Sequence, residues 1–249
     1  MFHKLILTII FTTRLSAQII QDSTNLINSR VLDTTSQTAV VYFYEPYPQQ
    51  VGSAILQLGG SLTLLPAPVV EDEYPTPALD LQYKRGMFKN ISLVGSLSTN
   101  YFTNLLHIGI QLNLAKNDFS FGVENHLGGF AGFISIEGQF DNNSAYAIFY
   151  MPILRMGYRF ANFSVSMSWA ASYIFKSVNK VSSLKTKGPE NNWNDLFCTL
   201  AIEQPFLKSS LISIGLSLTY SRTPYQSWLL FNTIDEWLFV PEFFFGFQL

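Results

Sequence analysis

The sequence predicts an all-β protein, an antiparallel up-and-down transmembrane β-barrel most consistent with ten strands in a range of eight to twelve, with short periplasmic turns and long extracellular loops. Three observations lead there. Charged residues make up 13% of the 249 residues, against roughly 25% in ordinary soluble domains, while aromatics reach 15% and mean hydropathy is positive. No apolar run reaches the ~18 residues a spanning helix needs, so any membrane crossing must be made by strands. From Gly52 onward, apolar residues recur at every second position, which gives a strand two chemically different faces.

The strands can be taken in order. Leu56, Leu58, Leu62 and Leu64 alternate with Gln57, Gly59, Ser61 and Thr63; Leu79, Leu81 and Tyr83 alternate with Asp80, Gln82 and Lys84. Ile91, Leu93, Leu97 and Tyr101 stand against a mostly serine face that also holds Val94 and Asn100. The fourth and fifth segments form the pair LLHIGIQLNLAKNDFSFGVENHLGG. The sixth opposes Leu154, Met156, Tyr158 and Phe160 to Arg155, Gly157 and Arg159, and the seventh opposes Phe163, Val165, Met167, Trp169 and Tyr173 to serines. Leu196, Cys198, Leu200 and Ile202 face away from Thr199 and Glu203 in the eighth, where the lone cysteine reads as a small apolar filler. The ninth opposes Ile212, Ile214, Leu216, Leu218 and Tyr220 to Ser213, Gly215, Ser217 and Thr219. The last opposes Phe239, Phe243, Phe245, Phe247 and Leu249 to Glu242, Gly246 and Gln248.

The linkers sort by length. Phe88-Lys89-Asn90, Lys116-Asn117, Ala161-Asn162 and Phe206-Leu207-Lys208 are tight and fall at one end of an antiparallel sheet. Pro66 to Thr76, Gly129 to Ser144, Lys176 to Asn192 and Arg222 to Glu236 are long and fall at the other, where only Thr103-Asn104 is short. Such sorting, with an even strand count, describes a bacterial outer-membrane barrel. FKNISL, AKNDFSF and FANFSVS each place Asn before a strand resumes, as tight turns requiring φ > 0 favour. Tyr83, Phe119, Tyr158, Phe160, Phe163, Phe245 and Phe247 near the short-turn end, and Tyr101, Tyr173, Tyr220 and Phe239 near the other, suit two interfacial girdles.

Ahead of the barrel, MFHKLILTIIFTTRLSAQ has a basic start, an apolar centre and small residues before Gln18, which predicts a signal peptide over 1–17 cleaved after Ala17. Gln18 as a new N-terminus resembles exported proteins of the Bacteroidota. Residues 18–51 form a periplasmic segment or a partial plug, and TAVVYFY within them reads equally as strand, plug or arm. Residues 52–249 form the barrel. Over Gly52 to Leu249 the chain resembles small outer-membrane β-barrel proteins. VPEFFFGFQL resembles the C-terminal strand signal read by the barrel assembly machinery, although that signal usually ends in Phe or Trp and here ends in Leu249. The resemblance implies an outer-membrane location, with lipid and lipopolysaccharide around the barrel.

Candidate chemistry sits inside. A two-residue turn at Lys116-Asn117 places His107 opposite His126 and Gly109 opposite Glu124, and a turn at Thr103-Asn104 places Asn100 opposite His107. Asn100, His107 and His126 then form a row at the extracellular mouth with Glu124 one step below, a group that could ligate a metal or small ligand, serve a hydrolase, or fill the lumen with hydrogen-bonded side chains. Asp80, Lys84, Arg155, Arg159, Glu203 and Glu242 carry both signs in the lumen, as neutralising pairs or a selective constriction. A net charge of −2 gives no basic excess for nucleic acid, and no phosphate loop, metalloprotease motif or nucleophile elbow points to a cofactor or an enzyme. The expected function is a non-enzymatic structural barrel or narrow channel for small solutes. An outer-membrane enzyme or ligand- or metal-binding barrel, an adhesin-like surface barrel and a soluble lipocalin-like carrier are the alternatives, the last requiring the apolar set to face inward.

Overall fold

Period-two alternation becomes eleven strands in a computed structural model that describes residues 41–67, 74–136, 140–181, 184–206, 210–225 and 236–249. They are β1 (Ala54–Leu65), β2 (Tyr74–Phe88), β3 (Ile91–Thr99), β4 (Thr103–Lys116), β5 (Phe119–Ile136), β6 (Phe140–Arg159), β7 (Ser164–Val181), β8 (Leu184–Lys187), β9 (Asn192–Phe206), β10 (Ser210–Ser221) and β11 (Leu238–Gln248). The expected signal peptide lies outside the described residues.

Ten strands close the barrel. β1 to β7 pair each with the next, β7 pairs on with β9, and β11 returns antiparallel to β1. Closure matters because each backbone N–H and C=O of a lipid-facing strand finds its partner in a neighbouring strand, where no water is present to supply one. β8 is a four-residue strand paired with Val178–Val181, so it lengthens a hairpin beyond the wall and adds nothing to the ring.

The faces are as alternation predicts. On β4, Leu106, Ile108 and Ile110 are 58%, 55% and 57% exposed, while inward Gln111 and Asn113 are buried. Leu79, Leu127, Leu196, Ile214, Phe243 and Phe245 continue the exposed belt around the ring. An apolar exterior over a polar interior is the arrangement of a membrane-crossing barrel and the reverse of a soluble lipocalin-like one. Aromatic rings border the belt. Tyr158, Phe160 and Phe163 pack in series at the short-turn end, and Tyr220 with Phe239 and Tyr173 with Trp193 pack at the other.

Two expectations need correction here. The linker Gly129 to Ser144 is mostly strand: β5 and β6 run to 18 and 20 residues, well beyond the ~9–11 that cross a membrane, and so project at the long-loop end. Two apolar segments, FISIEGQF and SWLLFN, could each add a strand by composition; of the first, Phe133–Ile136 and Phe140 belong to strands already counted, and the second falls outside the described residues. Tyr101 is not a strand residue; it stands in the turn between β3 and β4, 95% exposed, with its ring against Phe102.

The tight turns use asparagine at two of the three expected places. Asn90 and Asn117 have φ of 66° and 56°, left-handed values that L-residues other than Asn and Asp seldom take. Asn162 does not share this conformation, and its turn is closed instead by the Phe160 N–H donating to the Phe163 carbonyl at 2.8 Å.

Candidate functional site

The lumen contains a stretch of chain that is not part of the wall. Residues 41–47, VYFYEPY, lie in the barrel interior and bend at residues 43–45, with Tyr42, Phe43, Tyr44 and Glu45 buried. Unpaired peptide groups in such a place must be satisfied by wall side chains, and the charged residues of the lumen do this. One carboxylate, Glu203 on β9, accepts three successive backbone N–H groups: Oε1 from Phe43 at 2.8 Å, Oε2 from Tyr44 at 2.8 Å and from Glu45 at 3.2 Å. Consecutive amides converging on an anion form a compact and strong arrangement. From the other side, Lys84 on β2 donates its ammonium to the carbonyls of Phe43 at 3.3 Å and Glu45 at 3.0 Å. Arg159 on β6 pairs with the Glu45 carboxylate at 2.6 Å and lies over the rings of Tyr42 and Tyr47.

Small residues make the space. A Cβ on Gly122 would lie 2.6 Å from Pro46 Cβ, and one on Gly157 would lie 2.9 Å from Glu45 Cγ and 3.0 Å from Pro46 Cδ. Both glycines face the lumen where Glu45-Pro46 passes. Apolar packing completes the seat, with Phe43 and Tyr44 clustered against inward Ile55, Val94 and Ala201, and Phe244 beside Tyr44.

Beside this clasp lies the histidine group. His107 and His126 meet through their Nδ1 atoms at 3.0 Å, with ring planes at 73°. His126 Nε2 lies 2.8 Å from Glu124 Oε2, and Glu124 Oε1 accepts from Gln111 Nε2 at 2.6 Å and Arg155 Nε at 2.7 Å. Glu124 and His126 are wholly buried. Arg155 also donates to the Tyr44 carbonyl at 3.3 Å, which joins the histidine group to the clasped segment.

The expected row differs in register. The β4–β5 turn is Asn117-Asp118, with Lys116 opposite Phe119, so His107 stands opposite Gly128, Gly109 opposite His126 and Gln111 opposite Glu124. Moving the turn by one residue shifts each partner by two, which keeps every side chain on its face and makes the histidines diagonal neighbours within reach. Asn100 is not part of the group. It caps the β3–β4 turn, its Oδ1 accepting the N–H of Phe102 at 3.0 Å and of Thr103 at 2.7 Å, and Ser96 takes the place opposite His107. His126 spends both nitrogens on protein partners, and among the described residues no group of three or more His, Cys, Asp and Glu side chains is placed to hold a metal ion.

Above Tyr44 and Phe244, toward the long-loop end, the lumen opens into a cavity of about 260 Å³. One wall is apolar, built from Leu105, Phe130, Phe149, Met151, Ile153 and Ile174; the other carries Ser61, Thr63, Asp80, Asp195, Thr199 and Glu242. Asp195 accepts from Ser172, Ser221 and Asn194, and Glu242 accepts from Thr63 at 2.6 Å. His107 lines the same cavity.

Of the six lumen charges expected from sequence, Lys84, Arg155, Arg159 and Glu203 gather around residues 42–45, and Asp80 and Glu242 line the cavity. Sequence reasoning missed Glu45, Gln111, Ser96 and Asp195. Parity alone would have found Asp195, which sits one position from outward Leu196. Glu45 had a different signal, a single acid in an aromatic run.

No family model and no curated protein sequence matches the chain. Solved structures do. KdgM porin aligns at 10% identity with a TM-score of 0.37, covering 79% of this chain and 98% of that one. The translocator domain of autotransporter NalP from Neisseria meningitidis aligns at 9% and 0.41, covering 80% and 89%. The outer membrane protease OmpT from Escherichia coli aligns at 9% and 0.39, covering 78% and 93%. The likeness is one of fold.

Proposed function

We propose that this protein is an outer-membrane barrel, non-enzymatic, that serves as a narrow channel for small solutes and rests closed, with its own residues 41–47 as the plug. The observation that carries this reading is the acceptance of three consecutive main-chain N–H groups by the buried Glu203 carboxylate. A segment resting casually in a lumen would not meet a matched set of wall groups on both its amides and its carbonyls. The exposed apolar belt and its bordering aromatic rings support membrane insertion. In this reading the short turns are periplasmic, the long loops face outward among lipopolysaccharide, and the segment enters from the periplasm. The N-terminal signal with cleavage near Ala17 and the VPEFFFGFQL ending, as a substrate of the barrel assembly machinery, fit the same route.

Planar-bilayer recording tests it. Wild-type protein gives low or brief conductance, and Glu203→Ala gives larger and sustained steps. A wild type that conducts steadily would contradict the closed state, and a Glu203→Ala variant as silent as wild type would contradict the channel.

A further inference from the structure

The hydrogen bonds of the histidine group, taken with its charges, point to where its protons lie. Glu124 is one negative charge already balanced by Arg155 at 2.7 Å, so a cationic His126 in this buried place would leave an unbalanced charge. Neutral His126 therefore donates Nε2–H to Glu124 and presents Nδ1 as an acceptor. His107 must then donate its Nδ1–H across the 3.0 Å contact. That leaves His107 Nε2 with a bare lone pair, on a ring that lines the cavity.

From this geometry we infer that the cavity is a binding site for a small organic ammonium with an apolar body. Its N–H is accepted by His107 Nε2, and its hydrocarbon lies on the adjoining wall of Leu105, Phe130, Phe149 and Met151. The relay from Glu124 through His126 holds the acceptor tautomer in place, so the site is oriented before the ligand arrives. Charge selects the ligand class. Glu124 and Glu45 are held in ion pairs, and Arg155, which also lines the cavity, has its charge met by Glu124; among the described residues Asp80, Asp195 and Glu242 line the cavity with no cation in pairing distance. A cationic guest is favoured there and an anionic one is repelled.

The inference rests on reading residues 41–47 as the cavity floor, and binding is measured on wild type with that segment in place, whereas the channel reading turns on the conductance of Glu203→Ala. Wild-type protein in lipid nanodiscs is titrated calorimetrically with 2-phenylethylammonium, 2-phenylethanol and phenylacetate, and with empty nanodiscs as control. The ammonium binds saturably at one site, about tenfold or more tighter than the alcohol, and phenylacetate does not bind. His107→Phe, with unchanged heat-dependent gel migration, weakens the ammonium about tenfold or more. In ¹⁵N-histidine spectra, His107 Nε2 resonates as an unprotonated nitrogen and moves on titration. Equal affinity for the alcohol, preference for the carboxylate, no saturable binding, or a protonated His107 Nε2 would each overturn the proposal, whatever the conductance result.

Discussion

Glu203 on β9 accepts the backbone N–H of Tyr44 at 2.8 Å across 159 positions of sequence. With the adjoining amides of Phe43 and Glu45 it makes a single wall side chain the anchor of the segment. Glu203→Ala leaves these N–H groups without their acceptor. The expected loss is about 2–4 kcal/mol of folding stability, since buried unsatisfied donors cost about 1–3 kcal/mol each and water recovers part. Limited chymotrypsin digestion checks it: cleavage after Tyr42, Phe43 or Tyr44 is slow in wild type and rapid in the variant.

Clearance for Glu45-Pro46 in the lumen depends on Gly157. Its added Cβ would meet Ser120 Oγ at 2.7 Å and Glu45 Cγ at 2.9 Å, whereas a Cβ on Gly95 meets only the His107 carbonyl oxygen at 3.6 Å. Gly157→Val destabilises by about 1–3 kcal/mol through overpacking, and Gly95→Ala is near neutral. Urea titration of the refolded barrel, followed by tryptophan fluorescence, separates the two; equal effects would remove the close approach at Gly157.

The β4–β5 turn makes a sharper demand on backbone. Asn117 sits at φ 56°, so Asn117→Gly holds or improves stability, while Asn117→Val costs about 1–2 kcal/mol. The same urea titration reads it, and a tolerated valine would place the turn elsewhere.

Outward and inward faces respond differently to charge. Ile110→Arg, on the exposed belt of β4, costs about 2–4 kcal/mol on insertion into a bilayer. Thr219→Arg, which faces the cavity, costs less, because a lumen position is not exposed to lipid. Folding yield into lipid vesicles compares them.

The wall was readable from sequence because alternation has a period of two and a register shift of two leaves it unchanged. Leu106, Ile108 and Ile110 face out whether the turn is Lys116-Asn117 or Asn117-Asp118. Which residues touch depends on that one-residue choice, and both dipeptides are plausible turns, so His107 and His126 were expected opposite one another and are found diagonal. Asn100 has a separate cause: a residue that caps a turn through its side chain resembles in sequence a polar residue at a strand end. The segment inside the lumen is less readable still. Val41–Tyr44 is apolar enough for a strand, and its hydrogen-bonding partners, Lys84 and Glu203, lie dozens to more than a hundred positions away on strands that only closure brings together.

The most direct test of residues 41–47 inside the lumen is a cross-link. In a Cys198→Ser background, Pro46→Cys and Gly122→Cys place two thiols where the Cβ positions nearly touch, 2.6 Å apart before adjustment, and a small shift of the segment brings them to the ~3.5–4.5 Å of a disulfide. Mass spectrometry of the oxidised, folded barrel in lipid reads the product. A near-complete intramolecular disulfide is the result expected for the plugged barrel. A folded barrel in which both thiols stay free and are labelled by a small maleimide would contradict it.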